Sequence, residues 1–130
     1  MNDEEKNKVR AVFERHSEVG VAYLFGSRAR GTEGPMSDYD FAVYADLRDS
    51  KALLDLELSL RYELSLALKS DDVDFVMLNV VESPELKYAI IQEGIVLFER
   101  ESFRVRIEPS ILNGYFDYRA MLRRYALTRA

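Results

Sequence analysis

Cysteine is absent from this 130-residue chain, which excludes a disulfide framework and a thiolate metal site and removes any sign of an oxidising compartment. Long apolar runs are missing as well. None approaches the roughly 20 residues that cross a bilayer. The charged stretch from Met1 to Lys8 is not followed by the apolar segment of a signal peptide. These absences predict a cytoplasmic protein with no membrane partner. Positive charge is in short supply: 18 Lys and Arg stand against 23 Asp and Glu, for a formal net charge of -5. An acidic chain grips nucleic-acid backbones poorly, so a long nucleic acid is not an expected partner. A single nucleotide, its charge neutralised by a metal ion, remains compatible. Repeats, linkers and low-complexity segments are lacking too. With 48% apolar residues, the length fits one domain, 1–130, with its own core.

What is present reads as helices and strands in alternation. Val9, Val12 and Phe13 have helical spacing on the charged segment Asp3 to Ser17, and His16, the only histidine, is expected there as a solvated surface residue. Val21 to Phe25 is a short apolar run ending at Gly26, a buried strand. From Gly26 to Ser37, three glycines and a proline predict a helical turn opening at Ser27 and closing as loop. Asp38 to Ala45 is a second strand. From Leu54 to Leu68 every second residue is apolar, which is a strand period. The segment is nevertheless expected to be a helix, Ser50 to Leu68. It is far longer than a strand of about 5–6 residues, lacks β-branched residues, and is rich in Leu, Glu, Ala and Arg. Asp49 or Ser50 supplies the N-cap, and Leu53, Leu56, Leu60, Leu64 and Ala67 share one face. Val73 to Leu78 is a third strand. A helix follows over Glu85 to Glu93, opened by Ser83 and Pro84 and closed by Gly94. Ile95 to Phe98 is a fourth strand. Glu101 to Ala130 is mostly helical, with an irregular start at Pro109 and Gly114. The class is therefore α/β (α+β), a single mixed sheet with helices packed on it, its first two strands antiparallel neighbours.

The chemistry concentrates at Gly26-Ser27, then ten residues, then Asp38-Tyr39-Asp40. A glycine between a buried strand and a helical turn lets phosphate approach unpaired N–H groups. Ser27 adds a hydroxyl, and Arg28 and Arg30 add charge. Asp38 and Asp40, two apart on a strand, project to one side while Tyr39 projects to the other. Such a carboxylate pair repels unless a cation lies between, and Mg²⁺ suits it. Asp74, an acid inside an apolar strand, is a third candidate if its strand neighbours the second. The alternative is an acid at a sheet edge, facing solvent or a lysine. Three carboxylates can hold two metal ions, with Asp74 taking a proton from the attacking hydroxyl. Asp71 and Asp72 read as loop residues.

Gly26-Ser27-Arg28-Ala29-Arg30-Gly31 followed by Ser37-Asp38-Tyr39-Asp40, with Asp74 downstream, resembles the DNA polymerase β-like nucleotidyltransferases. Within them, the small size resembles the minimal nucleotidyltransferases, or MNT proteins. The diagnostic match covers about residues 21 to 45 and 73 to 78. The resemblance implies the polymerase β-like nucleotidyltransferase fold, with triphosphate held by Gly26 and Ser27, Mg²⁺ by Asp38 and Asp40, and Asp74 as third catalytic acid. The wording Ser37 to Val43 is similar to MNT antitoxins paired with HEPN toxins, which are helical ribonucleases. That implies ATP as donor, adenylylation of a toxin tyrosine, and a HEPN toxin as partner. Nothing in the sequence marks the acceptor site.

Two other functions stay open. The chain can be a binding module that masks its partner, with docking on the C-terminal aromatics and arginines: Tyr115, Phe116, Tyr118 and Tyr125, with Arg119, Arg123, Arg124 and Arg129. Those residues read equally as a packing helix with a solvated basic side. Transfer to a small molecule such as an aminoglycoside is the third reading, for which so short a chain has little room.

Overall fold

The computed structural model describes residues 1–35 and 37–129, with side chains described to residue 126, so the Arg129 side chain falls outside the described part. Helix α1 (Asp3–Arg15) begins with a capping box. Asn2 Oδ1 accepts the Glu5 N–H at 2.8 Å, and the Asn2 N–H donates back to Glu5 at 3.2 Å. Strand β1 (Val19–Phe25) leads into a single helical turn, α2 (Ser27–Arg30), a loop, and β2 (Tyr39–Ala45). Then follow α3 (Ser50–Leu68), β3 (Val73–Met77), α4 (Pro84–Glu93), β4 (Ile95–Glu99) and α5 (Phe103–Arg129).

The sheet order is β3-β2-β1-β4. β1 pairs antiparallel with both β2 and β4, and β2 pairs parallel with β3. The parallel pair needs a crossover, and α3 supplies it. The sheet is thus mixed, with β1 and β2 antiparallel neighbours as the sequence predicts. One face packs on α1 and α3 through Val12, Phe13, Phe41, Leu60 and Leu64; the other packs on α4 and α5 through Tyr23, Ala42, Ile90 and Ile107.

The strand-period segment is helical throughout. Asp49 caps it, its carboxylate accepting the Ala52 N–H at 3.0 Å, and Leu53, Leu56, Leu60 and Leu64 are buried in a row. Ala67 continues that row, partly buried against the same core.

Two expectations change, one at His16 and one at Pro109 and Gly114. His16 is not a solvated surface residue: its ring is largely covered, and Nε2 is hydrogen-bonded to the Glu63 carboxylate of α3. The end of α1 lies against α3, so a position that looks solvated within its own helix is enclosed by the next one. Gly94 caps α4 as expected, at φ -72°. Its N–H donates to the Ile90 carbonyl at 2.8 Å, and a Cβ at this residue would run into that same carbonyl. Pro109 and Gly114 do not interrupt α5, which runs continuously. Proline there leaves the Val105 carbonyl, four residues earlier, without its helical donor, and Val105 is among the most exposed apolar residues, so water can serve instead.

Candidate functional site

The site is built where β1 ends. Gly26 has φ 75° and ψ -158°, a region essentially reserved for glycine. A Cβ on it would overlap the Asp40 carboxylate. The residue is glycine because its backbone both turns sharply and lies directly against that acid. The turn is then closed in two ways. The N–H groups of Ala29 and Arg30 share the Gly26 carbonyl at 3.2 Å each, and Thr32 N–H donates to the Ser27 carbonyl at 2.9 Å. Gly31, at φ 75°, ends the turn in the left-handed conformation. The N–H groups at the start of such a turn have no intrahelical acceptor.

The strand register gathers the acids. Asp40 stands opposite Phe25 of β1 on one side and opposite Asp74 of β3 on the other. Paired residues of neighbouring strands project to the same face, so Asp40 and Asp74 share it. The Tyr39 N–H donates to the Asp72 carbonyl at 2.8 Å, locking the start of β3 against β2 just beside Asp38. Asp40 is half-buried, while Asp38 and Asp74 are exposed. Burial raises the Asp40 pKa above the usual carboxylate value; the charges of Asp74 and Asp38 raise it further, opposed by Arg30 and Arg28. Asp40 therefore feels the charge of both other acids. Beside them is a cleft of about 220 Å³ lined by Asp38, Asp71, Asp72, Val73 and Asp74. Asp71 and Asp72 are loop residues, as read, but they border the same corner. Asp74 is on the sheet's edge strand and exposed, and that strand neighbours the second with Asp74 in register with Asp40.

Among the described residues no three such side chains already surround a common point. Asp74 Oδ1 instead accepts the adjacent Phe75 N–H at 2.9 Å. The donor set still suits a hard cation: two or three carboxylates on one face, one of them held against a phosphate-type turn, with mutual repulsion that a divalent ion would relieve.

The two arginines are engaged elsewhere. Arg28 Nε and Nη2 donate to the Ser37 carbonyl at 3.2 and 2.9 Å, and its guanidinium lies 3.8 Å from the Tyr39 ring centroid. Tyr39 in turn donates its hydroxyl to Glu5 at 2.8 Å. Burial raises the Tyr39 pKa, and the Glu5 hydrogen bond adds to this. The Glu5 pKa falls because its hydrogen bonds from Tyr39 and the Asn2 N–H outweigh burial. Arg28 thus ties the end of the loop, one residue before Asp38, to the Tyr39 platform. Arg30 pairs with Glu93 at 3.3 Å, an exposed and hence weak contact. Sequence reasoning placed Tyr39 on the far side from the acids, where it is, but did not find the Glu5–Tyr39–Arg28 relay. The alternation of β2 could have suggested a stacking platform; nothing local points to Glu5.

A mixed sheet that sets a glycine turn against strand-borne acids defines a phosphate-handling transferase class. The profile described as polymerase beta, nucleotidyltransferase matches residues 7–103, and the chain belongs to that family. Several solved structures similar to it are toxin–antitoxin complexes. A toxin–antitoxin structure with AMP-PNP is 27% identical with TM-score 0.63, covering 95% of this chain and 91% of that one. A Shewanella oneidensis MNT antitoxin in complex with a tri-AMPylated HEPN toxin is 26% identical with TM-score 0.64, covering 96% and 93%. A further Shewanella oneidensis structure, 23% identical, shares the fold at TM-score 0.69 over 99% and 97%. Among curated proteins none matches significantly. No helix among the described residues is long and apolar enough to cross a membrane.

Proposed function

We propose that this chain is an antitoxin nucleotidyltransferase that moves AMP from ATP onto a tyrosine hydroxyl of a HEPN toxin and thereby neutralises it. The observation that carries the reading is the register of Asp40 with Asp74, with Asp38 two residues away and Gly26 pressed against Asp40. Support comes from the family, from the nucleotide analogue in one related complex and from the AMPylated toxin in another.

In this reading Gly26 and Ser27 hold the triphosphate through backbone N–H groups and the serine hydroxyl. Asp38 and Asp40, joined by Asp74, would hold Mg²⁺. When bound, Mg²⁺ neutralises phosphate charge and lowers the pKa of the attacking hydroxyl. Asp74, exposed and facing the cleft, accepts the proton of the tyrosine hydroxyl. The phenolic oxygen attacks the α-phosphorus, the bond to the β-phosphate bridging oxygen breaks, and pyrophosphate leaves. Arg28 acts at one remove by fixing Ser37 and so the approach to Asp38.

A second reading, neutralisation by masking, is favoured by the far end of α5. Tyr115 is stacked on Tyr88 at 3.8 Å, and Tyr118 is bonded to Glu85 at 2.8 Å, so both serve packing. Phe116 turns toward Tyr88 and Tyr115, whereas Met121, Leu122 and Tyr125 share another side of the helix, are exposed, and form an apolar face for a partner.

The test is intact mass spectrometry of a HEPN toxin co-expressed with the chain, with ATP and Mg²⁺. Wild type adds one or more AMP units to the toxin, and Asp38→Ala/Asp40→Ala adds none. An unmodified toxin held in a stable complex by both proteins would replace transfer with masking.

A further inference from the structure

A helix in which every second residue is apolar carries two stripes. Each step of two residues advances about 200° around the axis, so successive members fall on opposite sides. In α3, Leu56, Leu60 and Leu64 face the sheet with Leu53. Leu54, Leu58, Tyr62 and Leu66 run down the opposite side and are 52%, 56%, 67% and 60% exposed. No described element covers them. Packing on a core needs only one stripe. A second, contiguous and bare, is what monomeric surfaces avoid.

We propose that this outer stripe joins two copies of the chain, α3 against α3 in antiparallel orientation about a two-fold axis. The stripe is an i, i+4 ridge, and two such ridges interdigitate in the commonest helix packing, crossing at about -50°. A two-fold axis between Leu58 and Tyr62 places Leu58 against Tyr62 of the second copy and Leu54 against its Leu66. Apolar meets apolar along the whole seam, as an isologous interface requires.

Charge fits the same register. Neither Asp55 nor Lys69 has an ion pair among the described residues. The two-fold carries Lys69 of the second copy to the level of Lys51, one helical turn from Asp55, and symmetry makes this pairing twice. Each end of the seam thus sets Lys51 and Lys69 of the second copy around one Asp55, whose carboxylate lies within a turn of both and offsets their mutual repulsion.

The area is also of the right order. Four side chains bare by half or more present roughly 100 Å² each, so about 800 Å² for the pair. A groove of about 660 Å³ between α1 and α3, lined in part by Ala11 and the stems of Lys8 and Arg15, borders the stripe. Closing over it extends the contact toward the roughly 1,200 Å² at which specific interfaces begin. Asp40 lies on the opposite face of the sheet with Ala42, so the pairing leaves the acids and α5 open.

The test is sedimentation equilibrium of the purified full chain up to about 100 μM. Wild type is expected to be a dimer, and Leu58→Asp/Tyr62→Asp a monomer with an unchanged circular dichroism melt, since both positions are exposed. Asp55→Lys is expected to weaken the dimer about tenfold, and Asp55→Lys/Lys69→Asp to restore most of the loss. The latter pair tests the register without touching the apolar seam. A monomeric wild type overturns the proposal, as does a dimer that survives Leu58→Asp/Tyr62→Asp. A dimer dissolved by Phe116→Asp instead would move the interface to α5 and equally overturn it.

Discussion

Replacing Gly26 by alanine separates two costs that most glycine substitutions mix. The first is backbone strain. At φ 75° and ψ -158°, an L-residue is displaced from its allowed regions at a cost of about 1–3 kcal/mol. The second is steric. The added methyl group overlaps the Asp40 carboxylate, whose Cγ it would approach to 3.1 Å, so β2 or the Asp40 side chain must move. Gly31 and Gly34 isolate the terms. Gly31 has φ 75° and ψ 20°, with nothing within 4 Å of an added Cβ, so Gly31→Ala should cost only the left-handed strain, about 1–2 kcal/mol. Gly34 has open space and no positive φ, so Gly34→Ala should be neutral or slightly stabilising. The expected order in urea unfolding is Gly34→Ala near wild type, then Gly31→Ala, then Gly26→Ala losing about 2–4 kcal/mol. For a domain of this size that largest loss lowers Tm by about 10 °C. Transfer activity should fall steeply in Gly26→Ala alone, because Asp40 is the group displaced. A Gly26→Ala protein as stable as Gly31→Ala would show that the Asp40 contact does not constrain the turn.

Other perturbations give equally direct outcomes. Asp40 is half-buried and repelled by Asp74 and Asp38, so Asp40→Asn should be at least as stable as wild type without metal yet lose the Mg²⁺-dependent rise in Tm; a retained Mg²⁺ shift in thermal melts would refute its role in holding the ion. Arg28→Lys keeps charge but loses the two-pronged bond to the Ser37 carbonyl, so kcat should drop about tenfold with KM for ATP little changed; a rise in KM alone would instead make Arg28 a phosphate ligand. Glu5 has a depressed pKa when folded, so its contribution to stability is complete above the ordinary glutamate value, about 4.3, and is lost as pH falls through the folded value. Tyr39→Phe should therefore flatten the acid side of the stability profile, measured by urea unfolding at pH 3 to 7. Leu60→Ala, at a fully buried position, should cost about 2–5 kcal/mol by the same assay.

Local chemistry was the most legible part of the sequence. Gly26 with Ser27, and Asp38 with Asp40, stood out because a turn and a strand fix their relative positions within a few residues. Asp74 could be flagged only as an acid in an apolar strand. Its pairing with Asp40 depends on β3 adding parallel to β2, which composition does not encode. Boundaries were recovered closely wherever a cap announced them, as at Asp49 and Ser83. The misreadings arose where a residue's surroundings, rather than its own type, decide the outcome. His16 is enclosed by α3, and Pro109 is tolerated where Val105 faces water. Arg28 looked like a free cation because its acceptor, the Ser37 carbonyl, lies across a loop, and main-chain acceptors leave no trace in side-chain patterns.

The parallel register of β2 and β3 also orders events in time. The glycine turn, Asp38 and Asp40 belong to a hairpin-like unit made of nearby residues, whereas Asp74 reaches Asp40 only after the whole of α3 has been made and folded back across the sheet. A nascent or truncated chain ending before Val73 already contains the glycine turn and two acids, yet it lacks both Asp74 and the β3 strand that flanks Asp40. The three acids come together only after β3 has been made and the slow, long-range parallel pairing has closed.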